Sequence, residues 1–117
     1  MGNTNRSNQA VFDKIANHLL TQMEPACDFA PDGEIVDVYW AGDGKKSAIG
    51  ALIPADKYVP GLERDSVEGV LRKLGLFPGV DVELLRELER IHDRILPDEW
   101  KTALRQTAQE YHLQARF

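Results

Sequence analysis

The sequence is short of the features that usually announce chemistry. It has one cysteine, Cys27, so no intrachain disulfide can form, which fits a reducing compartment. Its longest apolar run, near Ala48–Ile53, is far too short to cross a bilayer. The polar start, Met1-Gly2-Asn3-Thr4-Asn5-Arg6, does not read as a secretion signal. No repeat, low-complexity tract or interdomain linker interrupts the chain. The most unusual gap is in positive charge: between Lys14 and Lys45 there is no Lys or Arg, while Glu24, Asp28, Asp32, Glu34, Asp37 and Asp43 fall in that interval.

These absences exclude whole classes. A net charge of −5 makes the phosphate contribution to nucleic-acid binding repulsive, so direct nucleic-acid binding is not expected, nor is membrane binding. The expected location is the cytoplasm. Gly42-Asp43-Gly44-Lys45-Lys46-Ser47 has a glycine–lysine core, but the leading glycine of a phosphate loop would fall at Tyr39, and Lys46 stands where Ser or Thr is required. His18, His92 and His112 lie on different predicted helices with no close-spaced second ligand, so no metal site is expected. His92 and Asp93 are sequence neighbours, and adjacent helix positions do not face one another, so an acid–base pair is not expected and His92 should border the core. Cys27 lies among carboxylates, which raise a thiol pKa and make it a poor nucleophile. Asp28, Asp32, Asp37 and Asp43 do not follow the spacing of a calcium loop. Arg86, Arg90 and Arg94 repeat at helical spacing among Glu83, Glu87, Glu89 and Asp93, which reads as a salt-bridged solvated face. No catalytic residue, cofactor or metal is assigned.

What is present is enough for one ordinary domain. The chain has 117 residues, 43% of them hydrophobic and 28% charged, and can bury a core without disulfides or metal. The reading is a single domain over 1–117, with residues 1–6 a flexible tail. Val11, Ile15 and Leu19 recur at four-residue steps and predict a helix from Asn8 to Gln22, with Ser7 as its N-cap. Residues 24–33 read as a loop. Glu34–Trp40 is β-branched and aromatic, and Asp43-Gly44 is a hairpin turn signal. Together they predict a hairpin between 34–40 and 47–53, with Trp40 opposite Ser47 and with Val36, Val38, Trp40, Ile49 and Ala51 facing the core. The Ala- and Gly-rich second arm could instead begin a helix. Further helices are predicted after a capping pair Asp65/Glu68 and ending at Gly75, after Asp81, and after Pro97; Pro78-Gly79 reads as a turn. The fold class is α+β: a two-stranded antiparallel hairpin packed against about four helices.

Without catalytic motifs, the acidic run is the best candidate for function. Asp32, Glu34, Asp37 and Asp43, with Tyr39 as an aromatic anchor on the outer face, form the expected partner-binding surface for a protein with a basic face. The alternative is a small enzyme or ligand-binding protein with its site near the hairpin and the His92-Asp93 helix.

One segment carries a resemblance. Ser47-Ala48-Ile49-Gly50-Ala51-Leu52-Ile53-Pro54-Ala55-Asp56-Lys57-Tyr58, with Phe12-Asp13-Lys14-Ile15-Ala16, His18-Leu19-Leu20, Leu88, Ile91-His92-Asp93, Trp100 and Leu104, is similar to a family of small phage- and prophage-borne proteins. That family's pattern has cysteines before the turn and at the position of Ser47, and Asp at the position of Ala55. This chain lacks both cysteines, so the resemblance implies no thiol or metal role for such a pair here. It implies a mobile-element setting. In that setting the expected function is non-enzymatic inhibition of a bacterial defence or nucleic-acid-handling complex, as anti-CRISPR proteins do, through a basic surface of a host protein.

Overall fold

A long helix opens the described chain, and its large apolar side chains share one face. The computed structural model describes residues 2–76 and 79–117, with side chains from Arg6 onward. Helix α1 spans Gly2–Gln22, so residues 2–6, read as a tail, are helical, and Ser7 lies inside the helix rather than capping it. Phe12, Ile15, Ala16 and Leu19 are buried at three- and four-residue steps. The helix stops where Met23 takes a positive φ of 54°.

Helices α2 (Val67–Leu74), α3 (Val82–Arg94) and α4 (Trp100–Glu110) follow the sequence pattern closely. Asp81 caps α3 by accepting from Glu83 N–H at 2.9 Å. Gly75 closes α2 in the left-handed conformation at φ 64°. The N-cap of α2 is Ser66, which accepts from Gly69 N–H at 3.1 Å, one residue later than the expected Asp65. Pro97 opens a 3-10 turn, Pro97–Glu99, that runs into α4. The expected turn at Pro78-Gly79 includes Pro78, which lies outside the described residues. Trp100, Leu84, Leu85, Leu88, Ile91 and Leu104 join the α1 stripe in one hydrophobic core.

The fold is α+β as expected, but the hairpin is built from different strands. Strand β1 (Cys27–Phe29) pairs antiparallel with β2 (Ile35–Asp37), with Cys27 opposite Asp37, Asp28 opposite Val36 and Phe29 opposite Ile35. The reversal lies at Pro31-Asp32-Gly33. There Gly33 has φ 89°, its N–H donates to Ala30 O at 2.8 Å, and Asp32 Oδ1 accepts from Glu34 N–H at 3.0 Å. The Asp43-Gly44 turn also forms, with Ala41 N–H donating to Lys45 O at 2.9 Å, but it closes only an isolated bridge between Trp40 and Lys46.

Beyond that bridge the expected second arm leaves the sheet. Residues Gly50–Leu52 form a 3-10 turn driven into the core, with Ala48 and Ile49 fully buried. Gly50 makes this possible: a Cβ there would lie 2.0 Å from Tyr39 O. The predicted core face fails accordingly. Ile49 is buried and Val38, Trp40 and Ala51 are half-buried, but Val36 is exposed, while Tyr39, Ala48, Gly50 and Leu52 from the opposite set are inside.

Candidate functional site

Two places in the molecule carry concentrated polar groups: the acidic hairpin and a buried cluster on α3. The cluster is Glu89, His92 and Asp93, whose ligand-type atoms lie within 4.8 Å of one another. Glu89 and His92 sit on the apolar face of α3, spaced three apart and in step with Leu85 and Leu88, and both are buried. This overturns the reading of Glu89 as part of the solvated salt-bridged face. Part of that reading holds: Arg86 pairs with Glu83 and Glu68, and Arg90 with Glu87. Asp93 turns instead to His92, and Arg94 is exposed with no ion pair among the described residues.

The hydrogen bonds of His92 fix its chemistry. Ala26 N–H can only donate, and it meets His92 Nε2 at 2.8 Å. Nε2 therefore carries a lone pair and Nδ1 carries the proton, which it donates to Asp93 Oδ1 at 2.7 Å. The two neighbours meet after all, because Nδ1 is the ring nitrogen nearest the backbone and lies within reach of the short Asp93 side chain. A metal at Nδ1 would require the proton to move to Nε2, straight against Ala26 N–H. The donor set therefore does not fit a cation in this arrangement.

Glu89 is just as fully committed. Its Oε1 accepts from Ile49 N–H at 2.9 Å, with the buried Ser47 close by. Burial pushes its carboxyl up to about 7, and the Asp93 charge adds to that, while the bond from Ile49 and the nearby His92 work in the other direction. Among the described residues, no buried side-chain nitrogen or oxygen lacks a partner. Surface clefts elsewhere, such as one of about 350 Å³ lined by Asp13, Asn17, Leu20, Arg116 and Phe117, do not include the cluster. Its geometry ties elements together: α3 holds the root of the hairpin through Ala26 and the 3-10 turn through Ile49.

A second carboxylate does similar work. Glu63 accepts from Tyr39 N–H at 2.8 Å, Trp40 N–H at 3.1 Å and the Tyr58 hydroxyl at 2.7 Å. The Trp40 and Tyr58 rings stack in parallel at 4.2 Å, and Lys46 Nζ lies 4.3 Å from the Trp40 ring centroid. From α1, the Gln22 amide donates to Lys46 O at 2.9 Å and accepts from Lys46 N–H at 3.0 Å.

The hairpin is the opposite case. Asp32, Glu34 and Asp37 are exposed around it, as expected. Asp43 is also exposed, but on the neighbouring turn, and its charge is met by Lys45 Nζ at 2.8 Å, which holds its carboxyl below the usual range. Asp28, in β1, links the hairpin to the neighbouring turn by accepting from Gly42 N–H. Tyr39 is not on this surface: it is 8% exposed, and its hydroxyl donates to Asp65 O at 2.6 Å. Burial, then the charges of Glu89 and Glu63, drive its phenol well above the usual range. Cys27 bonds to Asp37 at 3.4 Å, and burial followed by Asp37 pushes its thiol up to about 11, so it is no nucleophile.

The exposed aromatic that the sequence reading placed at Tyr39 is instead Phe29. Phe29 is 76% exposed and Ile35, directly opposite it, 69%. The available signal was the near-symmetric placing of Phe29 and Ile35 about Pro31-Asp32-Gly33. Comparison with protein-family models, curated proteins and solved structures finds no match to this chain.

Proposed function

We propose that the protein is a non-enzymatic binding protein whose hairpin docks on a basic surface of a protein partner. The observation that carries this reading is an exposed apolar pair, Phe29 and Ile35, rimmed by Asp32, Glu34 and Asp37 with no cation on the same segment. A large aromatic left mostly in water at a strand position buries little apolar surface in the isolated chain and suits insertion into a partner's pocket. The acidic rim suits a lysine- or arginine-rich surround, where it sets on-rate and salt dependence. The specific form of this proposal is cytoplasmic inhibition: occupation of a host surface that otherwise holds nucleic acid, in the mobile-element setting that the resemblance implies.

The test is affinity capture from bacterial extract with wild type, Phe29→Ser and Asp32→Lys/Asp37→Lys, followed by work on the purified captured protein. The expected result is a captured nucleic-acid-binding protein that both variants lose and that nucleic acid displaces. Association should slow as ionic strength rises, and the charge-reversed variant should flatten that slope. Capture unaffected by either variant overturns the reading.

A further inference from the structure

Side chains account for only part of what the hairpin presents; its backbone presents the rest. In an antiparallel pair, alternate residue pairs exchange backbone hydrogen bonds and the others turn their N–H and C=O groups outward. The bonds at the two ends of this ladder set the alternation: Val38 N–H donates to Ala26 O at 3.1 Å, and Ala30 N–H donates to Glu34 O at 2.8 Å. With Asp28 opposite Val36 between those ends, the Phe29/Ile35 and Cys27/Asp37 pairs are the ones not bonded to each other. The N–H and C=O groups of Ile35 and Asp37 therefore point away from β1, and among the described residues they bond no other protein group. All three residues of β2 are exposed, whereas Cys27 and Asp28 of β1 are half-buried.

We infer that the outer edge of β2 is a docking strand that accepts an extended, lysine- or arginine-bearing segment of the partner as a third strand. This rests on the reading of the hairpin as the binding surface. An open edge is a template for strand addition: main-chain bonds give affinity and alternate side chains give selectivity. Here the charge selects the occupant. Asp32, Glu34 and Asp37 flank the edge and no cation lies among them. A second copy of this chain is disfavoured for the same reason, because pairing β2 with itself crowds the carboxylates of both copies onto one sheet. A basic strand instead places ammonium or guanidinium groups beside those carboxylates while Ile35 and Val36 meet its alternate side chains.

The experiment titrates the full-length, ¹⁵N-labelled protein with three synthetic peptides: an alternating lysine–valine peptide, the same peptide N-methylated at every residue so that neither edge can donate, and a glutamate–valine peptide. The lysine–valine peptide should shift the Ile35 and Asp37 amides and slow their hydrogen exchange. N-methylation removes the main-chain donors and should weaken binding by at least about tenfold. The glutamate peptide should not bind. Ile35→Ala keeps the outward N–H and should retain the protection at Asp37, whereas Ile35→Pro deletes it and should reduce binding. Equal binding by the methylated peptide, or millimolar lysine–valine peptide leaving the Ile35 and Asp37 amides unmoved, overturns the strand-addition model. If the captured partner still depends on Phe29 and Asp32 in that case, the binding reading stands without it. If capture ignores the hairpin variants as well, the binding reading falls first.

Discussion

Residues 27–37 and residues 38–53 lie side by side in the chain and are opposites in construction. The first segment is regular: a ladder, a tight turn, side chains alternating across two faces. Much of it is exposed, and at its root it is held to the helices through Ala26 N–H on His92. The second has only one isolated bridge and one 3-10 turn, yet Glu63, Glu89, His18 and Gln22 all reach into it with hydrogen bonds. Regular secondary structure here marks what is displayed. The irregular segment is the part that the core is built around, because its backbone groups are satisfied by side chains that the helices lend.

That contrast can be broken by experiment. The largest effect is expected at Gly50. Gly50→Ala places a methyl against Tyr39 O and should cost about 4–5 kcal/mol, or prevent folding, whereas Gly44→Ala, at φ 95° in open space, should cost about 1 kcal/mol. Equal denaturation midpoints for the two would show that the buried loop can relax.

Glu89 comes next and is read through pH. Its carboxyl rises from 4.5 to about 7 on folding, so the folded chain keeps a proton that the unfolded chain has released. The stability linked to this group is complete below pH 4.5 and is lost as pH rises through 7, a change on the order of 3 kcal/mol. Glu89→Gln should remove that dependence. Denaturation curves on both proteins at several pH values check it, and a wild-type-minus-variant difference that stays flat with pH breaks it.

Glu63→Ala should cost about 2–3 kcal/mol, because it leaves two half-buried amides and the Tyr58 hydroxyl without their acceptor. A calorimetric melting point close to that of wild type would mean that water replaces the carboxylate. The smallest effect belongs to the hairpin. Phe29→Ser and Ile35→Ser should each change stability by no more than about 0.5 kcal/mol, since both side chains are already in water. A large fall in melting temperature for either would show that the displayed face supports the fold.

The helices were legible in the sequence because each signal is local: apolar residues at helical steps in α1 and α3, Asp81 before its helix, Gly75 after its own. The hairpin was half legible. Asp32-Gly33 and Asp43-Gly44 are both turn signals, and the strand composition of 35–40 favoured the second. What decided the pairing was the burial of Ala48, Ile49 and Leu52, which needs Gly50 to pass Tyr39 and Glu89 to cap Ile49, contacts across 11 and 40 residues. Periodicity does not reveal such contacts. The site shows the same division. The exposure of Asp32, Glu34 and Asp37 followed from charge alone, but whether Tyr39 or Phe29 faces water depended on the register that the distant contacts set.

The tautomer of His92 has a spectroscopic consequence. A ring proton on Nδ1 that is buried and bonded to Asp93 exchanges slowly with water, and histidine rings in the Nδ1–H form are separable from the commoner Nε2–H form by their nitrogen resonances. The ring holds that form only while Ala26 N–H occupies Nε2. Whenever the hairpin root detaches, the constraint lapses and the proton is free to move between the two ring nitrogens. One histidine side chain therefore reports, without any label on the hairpin, whether the displayed segment is anchored.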